Sequence, residues 1–242
     1  IRDSAYRFIH SHRQETEGSL TRADRIVGLH TLIGDAIPRR YRHKLRVIYQ
    51  SARPLAGRQT PKRFFRVCMA GHLREEKDPL RPALAARNLP LHSRIRIDAY
   101  GKAHTPQWAA LAAAEAVHNP RYHWHGEIGH AQLRQVYRRS HLLVLSSRME
   151  GGANVVSEAV MAGLPVVASA IPGSIGLLGS DYPGYYPVEE TQALRELLLH
   201  AESDAAFYAR LQEACEHRRY LFSEQAERRG WSDLLAELTT GK

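Results

Sequence analysis

The chain has 242 residues, 43% hydrophobic and 24% charged, proportions ordinary for a soluble globular protein of one large domain or two modest ones. It contains no run of 18 apolar residues, which excludes a membrane-spanning helix, and Ile1–Arg7 lacks the apolar core of a signal peptide. The net charge of +9 asks for anionic partners but does not choose among nucleic acid, phosphates and sugar nucleotides.

Residues 1–24 read as a polar helix. Residues 25–30 read as a short strand, and Thr31 is placed to cap a short helix that Pro38 ends. Leu45–Tyr49 is the next strand candidate. Residues 51–63 hold Pro54, Gly57 and Pro61 among basic residues, the composition of a linker. A new pattern then begins: strand 65–70, helix 79–87, strand 94–100, helix 106–117, strand 122–125, helix 130–139, strand 142–146, helix 154–162 and strand 165–169. Gly163 sits where a helix is expected to stop. Residues 171–186 read as a long Gly/Pro/Tyr loop, and amphipathic helices fill the remainder. Alternating strands and helices predict an α/β protein with parallel sheets covered by helices. The expected organisation is residues 1–50 as the later part of a first lobe, 51–63 as the linker, 64–200 as a second Rossmann-like lobe, and 201–242 as helices packing back toward the first. A chain that does not open with Met or a first strand reads as lacking the beginning of that first lobe. Cys68, in an apolar run, and the distant Cys215 form no C-x-x-C pair, so a reduced, cytoplasmic protein is expected.

The chemistry concentrates where strands end. After strand 142–146 comes Arg148-Met-Glu150-Gly151-Gly152-Ala153-Asn154-Val155, then the helix carrying Glu158. The paired glycines permit close backbone approach, and the free N–H groups at the helix start suit a diphosphate. Glu158 lies about 6 Å along the helix from Asn154 at 1.5 Å per residue, so the two carboxylates flank the phosphate site. Carboxylates accept pairs of sugar hydroxyls, so one can hold a transferred sugar and the other a ribose. The second cluster, Gly71-His72-Leu-Arg74-Glu-Glu-Lys77-Asp78, follows strand 65–70. Its cations can neutralise charge developing on a diphosphate leaving group, although the same cluster also reads as plain charged surface. His123 and His125 alternate on a strand without a third ligand at metal-binding spacing, and no D-x-D motif occurs.

Glu150-x7-Glu158 beside a glycine pair, followed by Ala162-Gly-Leu-Pro-Val-Val-Ala-Ser169, resembles the donor motif of GT-B glycosyltransferases of the large retaining, family-4-like class. The resemblance implies two Rossmann-like lobes, with Glu150 on the donor sugar and Glu158 on the ribose. Lys77 matches the Lys of the family's G-R-x4-K loop. His72 stands where the family has Arg, and Arg74 is placed to supply that charge. The family holds the nucleotide base by backbone groups of the segment matching Gly126, Glu127 and Ile128. Lys77, Arg74 and Glu150 are thus the catalytic candidates. Donor-binding candidates are His72, Arg74, Lys77, Gly126–Ile128, Arg148, Glu150–Val155 and Glu158, with no metal or cofactor required.

Residues 71–81, 146–158 and 171–185, together with 23–27 and 46–51, resemble the selenosugar synthases of selenoneine biosynthesis. That likeness implies a UDP-sugar donor, UDP-N-acetylglucosamine or UDP-glucose, and selenophosphate as acceptor. Nucleic acid and membrane are not expected partners. A glycosyltransferase with a conventional hydroxyl acceptor shares every donor motif. A non-catalytic sugar-nucleotide sensor remains open as well, and the +9 charge alone favours a nucleic-acid-binding α/β protein.

Overall fold

The computed structural model describes residues 13–240. The first element is helix α1 (Arg13–Arg22); the part of the polar-helix expectation that falls on residues 1–12 lies outside the described residues. Strands β1 (Ile26–Gly28) and β2 (Leu45–Val47) pair in parallel, Ile26 against Leu45, with two 3-10 turns between them (Thr31–Ala36 and Arg39–Lys44). Thr31 is not a cap. It is the first residue of its turn, the flanking residue is His30, and no side chain caps it. The sequence signal misleads because a helix-capping residue type here opens a 3-10 turn.

The larger body is a six-stranded parallel sheet in the order β5-β4-β3-β6-β7-β8. Its strands are β3 (Phe65–Ala70), β4 (Ile95–Tyr100), β5 (Tyr122–Trp124), β6 (Leu142–Leu145), β7 (Val166–Ser169) and β8 (Tyr185–Tyr186). All residues of β6 and β7 are buried, which explains their unbroken apolar runs: a parallel strand covered on both faces has no polar side to alternate with. The crossover helices are α2 (Arg81–Ala86), α3 (Pro106–His118), α4 (His130–Arg139) and α5 (Asn154–Met161). Thr105 caps α3 by accepting from the Trp108 N–H, and Pro106 opens it. Gly163 follows α5 with φ +66°, a left-handed residue that a glycine takes at least cost.

Residues 171–186 are not one loop. They contain helix α6 (Pro172–Leu178) and strand β8. Two glycines in seven residues give α6 little propensity of its own. Packing holds it: Ser174, Gly176, Leu177 and Leu178 are buried, and the Tyr185 hydroxyl donates to the Gly179 carbonyl at 2.7 Å. Helices α7 (Thr191–Ser203), α8 (Ala205–Arg218) and α9 (Glu224–Thr240) complete the chain, with a 3-10 turn (Arg219–Phe222) before α9. Helix α9 reaches the β1–β2 unit. Glu237 accepts from Arg25 at 2.9 Å and from Arg46 Nε at 2.9 Å.

Residues 51–64 carry no helix or strand, yet they are tied along their length. The Ala52, Leu55 and Gln59 N–H groups donate to the carbonyls of Phe222, Met161 and Arg138. Among the described residues no helix is long and apolar enough to cross a membrane. Cys68 and Cys215 are both buried and free, and burial pushes the Cys68 thiol up to about 12.

Candidate functional site

The strand order makes the site. β3 is followed spatially by β4 on one side and β6 on the other, so their outgoing loops part at the carboxyl ends of β3 and β6. A crevice opens at such a point in parallel sheets. Here it is a cleft of about 420 Å³. The β3 exit loop supplies His72, Arg74 and Lys77, β4 ends in Tyr100, and Glu127 and Ile128 follow β5. The β6 loop supplies Glu150, Gly152 and Ala153, and α5 starts at Asn154 and Val155, both also on the wall.

Glu150 is only 8% exposed. Its Oε1 accepts from Ser147 Oγ at 2.6 Å and from Lys77 Nζ. Ser147 is itself buried, and Ser169 Oγ donates to its carbonyl. Gly152 runs against the first unit so closely that a Cβ there would meet Leu29 Cβ at 2.6 Å. No side chain caps the start of α5, whose first two residues, Asn154 and Val155, lie on the cleft wall next to Gly152 and Ala153, while the Val156 N–H donates to the Ala153 carbonyl.

Glu158 lies on a second hollow, of about 790 Å³, between α4, α5, α9 and residues 50–54. Asn154 borders both spaces and joins them. Glu158 Oε1 pairs with His130 Nε2 at 3.1 Å, and Oε2 accepts from the Tyr137 hydroxyl at 2.9 Å. Burial pushes the Tyr137 hydroxyl far up, with the negative Glu158 adding to the shift. It remains a neutral donor.

Three sequence candidates, Arg148, Gly126 and Gly151, stand off the cleft wall. Arg148 turns away from the cleft and pairs with Glu189 at 2.7 Å and Glu75 at 3.4 Å. Gly126 takes φ +70° and gives its carbonyl to the Gly101 N–H, off the cleft wall. Gly151 is exposed, with nothing near its missing Cβ. Arg74 lines the cleft while paired with Glu76 at 2.9 Å. His125 is engaged with Asp98 at 2.8 Å and stacks on Tyr100 at 4.7 Å. Among the described residues no three His, Cys, Asp or Glu side chains gather as a metal site. Sequence reasoning did not single out Ser147, Tyr100, His130 or Tyr137. Only the last two had a signal, a seven-residue spacing that puts both on one face of α4.

A six-stranded parallel sheet with crossover helices and a cleft at its switch point is the architecture of one lobe of a GT-B-type fold. Residues 56–218 match the family described as Glycosyl transferases group 1, and the chain belongs to that family. No curated protein matches the chain. Among solved structures it is similar to sucrose-phosphate synthase from Thermosynechococcus elongatus, with TM-score 0.81 and 20% identity over 96% of this chain and 63% of that one. It is also similar to Anabaena HepE in complex with UDP and glucose, with TM-score 0.74 and 16% identity over 95% and 66%. A glycosyltransferase from Rickettsia africae gives TM-score 0.76 and 16% identity over 90% and 64%. At these identities the likeness is one of fold. The chain spans between 63% and 66% of the length of these three structures.

Proposed function

We propose that the cleft binds a UDP-sugar and that the protein transfers the sugar to selenophosphate, forming a 1-selenosugar. One observation carries the donor half: Glu150 and Glu158 lie on either side of the open start of α5, with Lys77 on Glu150. The diphosphate would lie over the α5 start, with Lys77 and Arg74 meeting its charge. Glu150 would take hydroxyls of the transferred sugar, Glu158 those of the ribose, and Glu127 and Ile128 would border the base. HepE, which shares the fold, was solved in complex with UDP and glucose, which supports a nucleotide-sugar ligand here.

The acceptor half rests on the sequence resemblance of residues 71–81, 146–158 and 171–185. Selenium of selenophosphate attacks the anomeric carbon, and a C–Se bond forms as the C–O bond to UDP breaks. UDP leaves with the electron pair. Water then cleaves the Se–P bond and releases phosphate. A nucleophile already carrying negative charge has little need of a general base. The cations Arg74 and Lys77, with the His72 imidazole beside them on one wall, suit two anionic substrates.

Calorimetry with UDP tests the donor half: binding that weakens in Glu158→Ala is expected, and absence of binding overturns it. Incubation with UDP-glucose or UDP-N-acetylglucosamine and selenophosphate, read by mass spectrometry, tests the acceptor. A selenosugar is the expected product, and product with hydroxyl acceptors alone overturns the selenium assignment.

A further inference from the structure

We infer that Tyr137 is a positioning residue that sets the orientation of the Glu158 carboxylate for the ribose diol. This rests on the proposed placement of a nucleoside diphosphate against Glu158. A glutamate has three rotatable bonds, and an unrestrained one would present its carboxylate in many poses. Glu158 is restrained at one oxygen from below. Tyr137, on α4, is 1% exposed, lines neither hollow, and donates to Oε2 at 2.9 Å. The ring therefore cannot touch a ligand, and among the described residues the hydroxyl's only hydrogen-bond partner is the Glu158 carboxylate. Burial holds the hydroxyl far above its ordinary range, so it stays a donor at every working pH.

The other oxygen is differently served. Oε1 meets His130, whose side chain is 64% exposed, while Glu158 itself is 19% exposed. His130 and Tyr137 come from one face of α4, two turns apart, so a single helix contacts both oxygens. The inner contact is fixed and the outer one is open to exchange. A ribose diol can take the place of His130 at Oε1 without disturbing the Tyr137 bond. The bond from Tyr137 is charge-assisted, the stronger kind, and its loss would release the carboxylate to rotate.

The test compares UDP with 2′,3′-dideoxyuridine 5′-diphosphate by calorimetry in the parent protein and in Tyr137→Phe, which keeps the ring and removes the donor. Parent protein should prefer UDP by at least about tenfold, and Tyr137→Phe should lose about tenfold in UDP affinity with dideoxy-UDP unchanged. Unchanged dideoxy-UDP binding also certifies the fold. A merely structural role would weaken both ligands alike, and that result overturns the inference. So does an unaltered preference in the variant. If the parent shows no preference, the ribose placement fails and takes the inference with it. In a Glu158→Ala background, Tyr137→Phe should cost UDP nothing further; a second loss there would show that Tyr137 acts through another group. Should Tyr137→Phe not fold, Glu158→Asp decides. Its carboxylate is drawn back from the Tyr137 hydroxyl, so preference for UDP should fall, and full retention overturns the inference.

Discussion

Lys77 and Glu150, seventy-three residues apart in the chain, form an ion pair on the cleft wall, with Lys77 18% and Glu150 8% exposed. Without a ligand each neutralises the other. A diphosphate competes for Lys77, and sugar hydroxyls compete for Glu150, so donor binding exchanges one internal pair for two external contacts. Glu150→Gln should separate the halves. UDP, which has no hexose, should bind no more weakly than to the parent protein, because Lys77 is released. UDP-glucose should lose about tenfold in affinity, the scale of a hydrogen bond to a charged group. Calorimetry with both ligands checks this, and equal losses would place Glu150 on the nucleotide instead.

Helix α6 sets the position of Glu150 from the far side. A Cβ on Gly173 would lie 2.4 Å from the Glu150 carbonyl oxygen and 2.9 Å from its Cβ. Backbone cannot move aside cheaply at that distance, so Gly173→Ala should push the Glu150 segment off its Lys77 and Ser147 partners. The expected outcome is a fall of about tenfold in turnover of UDP-glucose, with a small shift in melting temperature. A variant that keeps full turnover would mean that the loop absorbs the displacement.

Strong periodicity in the sequence locates its elements correctly. Strand β3 and helix α4 fall at residues 65–70 and 130–139, as the apolar pattern predicts, because each is long enough for its pattern to outweigh local noise. Helix α6 leaves no such mark, because Pro172, Gly173 and Gly176 spell a turn. Its helicity comes from burial against neighbours, which no local pattern records. The carboxylates were visible through Glu150-x7-Glu158 and the glycine pair between them. Their partners were not: Lys77 is an expected cation, but its bond to Glu150, and that of Tyr137 to Glu158, depend on how separate crossovers stack. Arg148 illustrates the converse. Adjacent in sequence to the motif, it is drawn off by Glu189 and Glu75, charges from other loops.

His141 gives the molecule an acid-sensitive point away from the cleft. Burial, helped by Arg58, Arg94 and Arg66, lowers its imidazole to about 4. Its Nδ1 accepts from the Arg66 N–H at 3.0 Å and its ring stacks on Phe65 at 4.6 Å, so the folded state requires the neutral form. Between the ordinary value of 6.5 and about 4 the unfolded chain takes up a proton that the folded chain refuses. Stability from this group is therefore complete above the ordinary value and is lost as pH falls through that window. Melting temperature should decline from pH 7 to pH 5. His141→Asn, whose Oδ1 can accept the same bond without titrating, should flatten part of that slope. An unchanged slope would assign the acid sensitivity to other groups.

Arg58 ties the segment between the β1–β2 unit and the six-stranded sheet to the ends of two crossover helices. Its guanidinium donates to the Gly163 carbonyl at 2.8 Å and the Ser140 carbonyl at 2.6 Å, and also reaches the Tyr208 hydroxyl at 3.3 Å. Ser140 caps the end of α4 and Gly163 follows the Ala162 cap of α5, so both carbonyls lie at helix C-termini, where a cation is favoured. Arg58→Leu preserves the aliphatic stem but leaves both carbonyls unserved. The expected cost is about 2 kcal/mol, seen as a lower urea midpoint with an unchanged slope. Tyr208→Phe removes a neighbour that shares this corner and bonds the His141 carbonyl at 2.8 Å, so the double variant should cost less than the two single losses added together. Because Arg58 lies on neither hollow, UDP affinity of the folded variant should equal that of the parent. A drop in affinity would mean that the segment holds α4, and through Tyr137 the Glu158 carboxylate, in place.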